Sequence, residues 1–455
     1  MSKLKHKNGR LYGLLLLSLL GLTFSTCQQE APLDAAQLAT FSQLKQVHWN
    51  KVLTDVMVAD IFTPPVCSRI YAYPNVAAYE VFAASSEEHP SLVGNLQDLT
   101  EVPAPKAGEV YYFPLSSMVA FATVARPLVY SMEKIDTAEQ KYFVSIQEAG
   151  IPASVFDRSV AYGRQVGQHI LDWANQDGYL ERTALSQYVL QEKPGAWKPT
   201  PPDYMPAIEP NWNTLRTFVL DSVQQFPPLP PTTFATDEQS KFYRESMEVY
   251  TSTNNLNEER IAVAKFWDCN PNVSHTKGHL TFFDQKISPG GHWMSIAGIA
   301  IEKRNLSLQE TAQVFALTSI TLADAFISCW DEKYRSSLIR PETYINQYID
   351  PDWEPILQTP AFPEYTSGHS VISSAAAVML TDLLGDGFAF TDSTEVKYGL
   401  PMRQFDSFFA ASEEAAISRL YGGIHYMPAI ENGVSQGKKI GRFVSDKLEK
   451  YRTIK

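Results

Sequence analysis

The sequence predicts an all-α protein. Two observations carry that reading: apolar residues recur at helical spacing along most of the 455-residue chain, and no stretch sustains strand alternation. A third is local. Ser307-Leu-Gln-Glu310 has the pattern of a capping box and opens a long helix expected to run to about Tyr334. The chain is long for one core, which favours two helical halves or one large domain with an extension.

The first residues stand apart from that fold. Lys3, Lys5, Lys7 and Arg10 precede the apolar run Leu11–Phe24, which is shorter than the roughly 20 residues that cross a bilayer. This is the pattern of a secretory signal, residues 1–27. Its end, Leu22-Thr-Phe-Ser-Thr-Cys27, resembles a bacterial lipobox. That resemblance implies lipidation of Cys27 and an exported protein, periplasmic or held at the outer membrane or cell surface; ordinary cleavage without a lipid is the alternative. No later segment reads as crossing a membrane.

Helices are expected over 35–62, where Leu38, Phe41, Leu44, Val47 and Trp49 share one side, then over 66–85 with an interruption at Pro74. Further helices are expected over 113–132, 137–149 and 153–175. From Gly178 to Thr236 the texture changes. Pro199, Pro201, Pro202, Pro206, Pro210, Pro227, Pro228, Pro230 and Pro231 each fix φ and remove a donor, so no regular helix fits. Trp197, Tyr204, Trp212 and Phe218 are too many aromatics for a disordered linker. The segment is expected to be ordered and extended, wrapping over the helices. It divides an N-terminal region, 28–235 with its wrap at 178–235, from a C-terminal catalytic domain, 236–455. There, besides the capped helix at Ser307, helices are expected over 371–384, preceded by Ser367 and ended by Gly385, and over 407–421 and 431–451.

Composition excludes several functions. The chain has 38 Lys and Arg against 50 Asp and Glu, a net charge of −12, and the leader removes four of the basic residues. So acidic a surface argues against nucleic acid as a partner. Beyond the leader, Cys67, Cys269 and Cys329 are scattered, giving no disulfide framework and no zinc spacing. His275-Thr-Lys-Gly-His279 has i, i+4 spacing, but Gly278 lies inside it and no carboxylate pattern accompanies it, which argues against a metal. Haem and dinucleotide motifs are absent from the sequence.

Against this acidic background, three segments of the last third collect cations, hydroxyls and imidazoles: Lys333 to Arg340-Pro341, Ser367-Gly368-His369, and Ser418-Arg419 to His425. Each has a bland explanation alone: a solvated helix face, a serine N-cap and a structural histidine. Together they supply what a tetrahedral oxyanion needs. Arg340 and Arg419 offer planar forks, Lys333 a point charge, and Gly368 a close backbone approach at the start of a helix, where free N–H groups and the dipole favour an anion. The glycines Gly422-Gly423 end a helix and let His425 turn back toward Arg419.

Lys-x6-Arg-Pro, Ser-Gly-His and Ser-Arg-x5-His, in this order, resemble the signature of the vanadium-dependent haloperoxidase and type 2 phosphatidic acid phosphatase superfamily. The likeness to the soluble haloperoxidase branch extends to Trp197-Lys-Pro-Thr-Pro-Pro202 and to Pro289-Gly-Gly-His292-Trp293. It implies helical bundles of that kind. It implies oxyanion binding by Lys333, Arg340, Ser367, Gly368 and Arg419, with His425 as the apical ligand of vanadate or the phosphoryl-accepting nucleophile. It makes His369 the general acid/base and Asp268 the partner of Arg419. The activities implied are halide oxidation by hydrogen peroxide at vanadate, or hydrolysis of a phosphate ester through a phosphohistidine; a lipoprotein that only binds phosphate is a third reading. Two positions depart from the pattern: Thr366 stands where a proline is usual, and Ala429 where a carboxylate four residues after the last histidine is expected. Glu431 is the nearest substitute, and without a carboxylate the balance tilts toward vanadate.

Overall fold

The computed structural model describes residues 43–455 except 86–88, 278, 453 and 455. The leader and Cys27 lie outside the described residues. Thirteen α-helices build the described fold, and α1 (Gln43–Ala59) and α2 (Pro64–Ala83) open it. Pro74 sits inside α2 without ending it. Next come α3 (Phe113–Ala125), α4 (Met132–Glu148) and α5 (Ala153–Ala174). The helix expected over 113–132 stops early: Arg126–Leu128 is a 3-10 turn, because Pro127 has no N–H to continue the ladder.

After the proline-rich segment, α6 (Lys241–Asn254) and α7 (Glu258–Phe266) lead to α8 (Pro289–Arg304) and α9 (Leu308–Ser336). Then follow α10 (Pro341–Tyr348), α11 (Gly368–Leu384), α12 (Phe408–Tyr421) and α13 (Met427–Lys447). The last begins earlier than expected, with Pro428 in its first turn. Two short antiparallel pairs escaped the sequence reading: β1 (Ser274–Lys277) with β2 (Leu280–Phe283), and β3 (Phe390–Asp392) with β4 (Arg403–Phe405). Strands of three or four residues are too short to show alternation.

One core of buried apolar side chains runs from Val47 to Tyr451 and crosses residue 235, so the regions on either side of that expected boundary share their interior. Helix α9 is its axis. Ser307 accepts from the Glu310 N–H while the Glu310 side chain accepts from the Ser307 N–H, the capping box read from sequence. By length and apolarity α9 could cross a membrane, contrary to the sequence reading, but its apolar window is wholly buried inside the fold. The proline-rich segment wraps as expected, with Trp197, Trp212 and Phe218 buried and Tyr204 exposed. Its anchor is Asp324 of α9, whose carboxyl accepts from the N–H groups of Phe218, Val219 and Leu220 at 2.6, 2.8 and 3.0 Å.

Helices α11 and α13 pack unusually close. Gly433, Gly437 and Gly441 recur every four residues, so they form one stripe of α13. A Cβ on Gly437 would stand 2.1 Å from the Val371 carbonyl oxygen, and one on Gly433 3.1 Å from that of Ser367. This contact sets the position of the N-terminus of α11, where Ser367, Gly368 and His369 lie.

Candidate active site

Two of the three motifs line one cavity, through Gly368, His369, Arg419 and His425, and Arg340 of the third backs it, its Nη1 3.2 Å from His425 Nε2. Four turns of chain geometry bring them there. Helix α9 ends at Ser337 in the left-handed region, φ 49°, so Lys333 and Arg340 do not share a continuing helix. Arg340 is instead the residue before α10, with Pro341 in its first turn. Ser367 is both N-cap and site residue: its Oγ accepts from the Ser370 N–H. The amides of Gly368 and His369 belong to the first turn, where no helix carbonyl reaches them. Past Arg419, Gly423 turns at φ 77° and delivers His425 before α13 begins.

The cations are fully buried. Lys333, Arg340 and Arg419 are 0, 0 and 1 % exposed. Burial pulls Lys333 down to about 7 and Arg340 down to about 10, the mark of positive charge held where water cannot solvate it. Lys333 Nζ donates to the carbonyls of Pro363, Glu364 and Thr366 at 3.1, 3.2 and 2.5 Å. It thus fixes the loop before α11 and acts on the cavity chiefly as a point charge, rather than as the direct oxygen-binding donor that the resemblance implied. Arg419 donates to Trp267 O at 2.8 Å and to Ser418 Oγ at 3.0 Å. Arg340 donates from Nε to Phe362 O and from Nη1 to Ile424 O, both at 2.9 Å, while its Nη2 is buried with no partner.

The partner of His425 is a residue the sequence reading missed. Glu364 Oε1 lies 2.7 Å from His425 Nδ1 and accepts the Tyr426 N–H at 3.0 Å. Because Oε1 accepts that second N–H, it is the acceptor toward the imidazole too, so Nδ1 carries the ring proton and Nε2 presents its lone pair. Nε2 faces Arg340 Nη1 at 3.2 Å. Glu364 therefore fills the role expected at position 429. Ala429 is buried and Glu431 exposed, outside this cavity. With Glu364 in place, no carboxylate is missing at His425, and its absence from position 429 does not favour vanadate over a phosphate ester. The only sequence signal was Glu364 itself, an acidic residue close before the Ser-Gly-His motif.

His369 follows the same logic. Its ring bonds the Trp267 backbone oxygen and its Nε2 is buried without a partner, so Nδ1 donates and Nε2 keeps a lone pair. Burial, then Arg419, holds His369 well below the usual imidazole range, and burial, then Arg340, does so for His425. Both rings are neutral bases in a cationic pocket. Asp268 does not pair with Arg419 as the resemblance implied. Its Oδ2 takes Lys286 Nζ at 2.5 Å, and it reaches Arg419 only through space, opposing the effect of burial on the guanidinium. Among the described residues Arg419 has no ion-pair partner.

These residues suit vanadate. A free arginine N–H, first-turn amides and an imidazole lone pair converge on one cavity, and a Cβ added to Gly368 would project beside Trp330 and the Lys333 stem at 3.8 and 4.0 Å, within the cradle.

Comparison with known proteins agrees. Residues 346–453 match the family model for the second helical-bundle domain of vanadium chloroperoxidase. No curated protein sequence matches. A crystal structure described as the first bacterial vanadium-dependent iodoperoxidase is similar at 46% identity, over 92% of this chain and 98% of that one, with a TM-score of 0.86. A bacterial vanadium-dependent chloroperoxidase, in its holo form, shares the fold at 15% identity, over 94% and 97% of the two chains, with a TM-score of 0.66. The all-α architecture, the buried cationic pocket with its paired histidines and these matches together show that the chain belongs to the vanadium-dependent haloperoxidase family.

Proposed function

We propose that this haloperoxidase oxidises iodide with hydrogen peroxide, using vanadate held by His425. The observation that carries the assignment of the ligand is the Glu364–His425 pair, which turns an imidazole lone pair toward three buried cations. Arg340 Nη2, the amides of Gly368 and His369 and the Ser367 hydroxyl would bind oxyanion oxygens, with Lys333 and Arg419 completing the positive field. Vanadate, when bound, supplies the electrophilic centre that activates peroxide toward a halide. His369 Nε2, neutral and unpartnered, takes the proton from incoming peroxide and returns it to the departing oxygen.

Iodide is favoured by the similarity to an iodoperoxidase and by the cavity wall. Trp330, Phe326, Phe362 and Ile424 line it. An apolar wall penalises a small, strongly hydrated anion more than a large one, since the desolvation cost of an ion falls with its radius.

The test is iodide and bromide oxidation by peroxide, with and without added vanadate, beside hydrolysis of an aryl phosphate. Vanadate-dependent iodide oxidation, abolished in His425→Ala, is expected. Aryl phosphate cleavage without halide oxidation at any vanadate level would overturn the reading, as would phosphate binding with neither activity. We further propose that residues 1–27 direct export and that Cys27 is the lipid anchor. Fatty-acid labelling lost in Cys27→Ala supports this, and unlabelled, freely soluble protein refutes it.

A further inference from the structure

Beside the oxyanion cavity lies a second cluster. Cys269 Sγ, His292 Nδ1 and Glu395 Oε1 are buried and lie within 4.8 Å of one another. They come from the loop after α7, the first turn of α8 and the turn after β3. Sγ is 3.4 Å from Nδ1, and Nδ1 is 3.0 Å from Oε1. Zinc bonds of about 2.3 Å to sulfur and about 2.0–2.1 Å to nitrogen and oxygen, at tetrahedral angles, span ligand separations of about 3.3–3.6 Å. The two spacings to Nδ1 match within a few tenths of an ångström, and Sγ and Oε1, within 4.8 Å of each other, would be drawn together.

Two further observations point to a cation. Glu395 Oε1 is buried and accepts no hydrogen bond, although Nδ1 is within ion-pair distance: it sits beside the ring nitrogen rather than along its N–H. A carboxylate oxygen without a donor is costly in the interior unless a positive charge meets it, either the proton of the neighbouring His292 ring or a metal ion that replaces that proton. The other ring nitrogen, Nε2, is held by Asp392 Oδ2 at 2.7 Å, and Asp392 is itself fixed by the Thr394 N–H at 2.9 Å. Carboxylate, imidazole, then metal is the arrangement that orients a histidine ligand and raises its basicity. Trp267 stacks on the imidazole at 4.5 Å and holds the ring plane.

We propose that Cys269, His292 and Glu395 bind one divalent zinc-like cation, oriented through Asp392 and adjoining the vanadate site, whose cavity Cys269 also lines. The donor set of thiolate, imidazole and carboxylate selects zinc over magnesium or calcium, which take oxygen ligands. Three protein ligands leave a fourth position for water. The cation ties the 267–269 loop to α8 and the β3 turn. That loop also supplies the Trp267 carbonyl that Arg419 and His369 use, so the site braces the oxyanion pocket from behind.

The experiment uses the full chain, stripped with a chelator, reloaded with zinc and dialysed, with bound metal measured by mass spectrometry. Cobalt serves as the spectroscopic probe. About one zinc per chain is expected, with a cobalt–thiolate charge-transfer band in the near ultraviolet. Cys269→Ser should lose that band, and Glu395→Gln and Asp392→Asn should bind at least about tenfold more weakly. Absence of the thiolate band in the unmutated protein, a reading that no unfolded variant can confuse, would overturn the proposal. So would full zinc retention in Cys269→Ser, which would place the metal on the exposed His275–Asp284 pair instead.

Discussion

Replacing Glu364 with alanine separates its role from that of a merely buried acid. The substitution removes the acceptor of two N–H groups of buried residues, His425 Nδ1 at 2.7 Å and Tyr426 N at 3.0 Å. Each donor left buried and unpaired costs about 1–3 kcal/mol, so a loss of about 2–6 kcal/mol is expected in urea unfolding. The effect on function is separate. Without its acceptor the imidazole is free to rotate or change tautomer, and Nε2 no longer presents a fixed lone pair. Loss of such an orienting partner weakens metal affinity about 10–100-fold. Calorimetric titration of vanadate into Glu364→Ala, under conditions where it remains folded, should show that loss, and Glu431→Ala should bind as the parent does. Vanadate binding by Glu364→Ala equal to the parent, or an equal weakening in Glu431→Ala, would refute the pairing read here.

The same pair has a pH signature. Burial pushes Glu364 up to about 8, against the pull of Arg340 and Lys333, so the folded protein keeps a proton there that the unfolded chain loses near its ordinary 4.5. Parent stability should therefore fall from about pH 4.5 to about 8 relative to Glu364→Gln, which cannot titrate, and a gap that stays constant or closes the other way refutes it. Gly437→Ala should destabilise by about 1–3 kcal/mol, because its Cβ would stand 2.1 Å from Val371 O and push α11 from α13; thermal melting reads the loss, and vanadate titration should read weaker binding. Asp324→Ala leaves the amides of Phe218, Val219 and Leu220 without an acceptor and should cost roughly 3 kcal/mol or more, with faster proteolysis within residues 178–235.

Much of this protein was legible in its sequence because the determinants are local. The capping box at Ser307, the N-cap at Ser367 and the helical apolar spacing act within a few residues and appear where they were expected. The motifs of Lys333, Arg340, Ser367, Arg419 and His425 were legible by residue type, and the fold brings them to one cavity wall or its immediate backing. The missed boundaries have local causes too, such as Pro127 ending α3 and Pro428 opening α13.

Partnership is a different matter. His425 needs some carboxylate at its Nδ1, and the chain offers many. Which one arrives depends on the loop that Lys333 pins through three carbonyls, and that loop presents Glu364 rather than anything near position 429. Asp268 likewise goes to Lys286 instead of Arg419. Cys269, His292 and Glu395 have no ligand spacing to read, and meet only because a loop, a helix start and a turn pack together. The sequence by itself determined the helices and the kinds of group that gather at the cavity, since backbone capping and side-chain chemistry are properties of short segments. Tertiary structure alone decided which buried acid serves which buried base, because a contact of 2.7 Å is set by the packing of distant elements and leaves no periodicity behind.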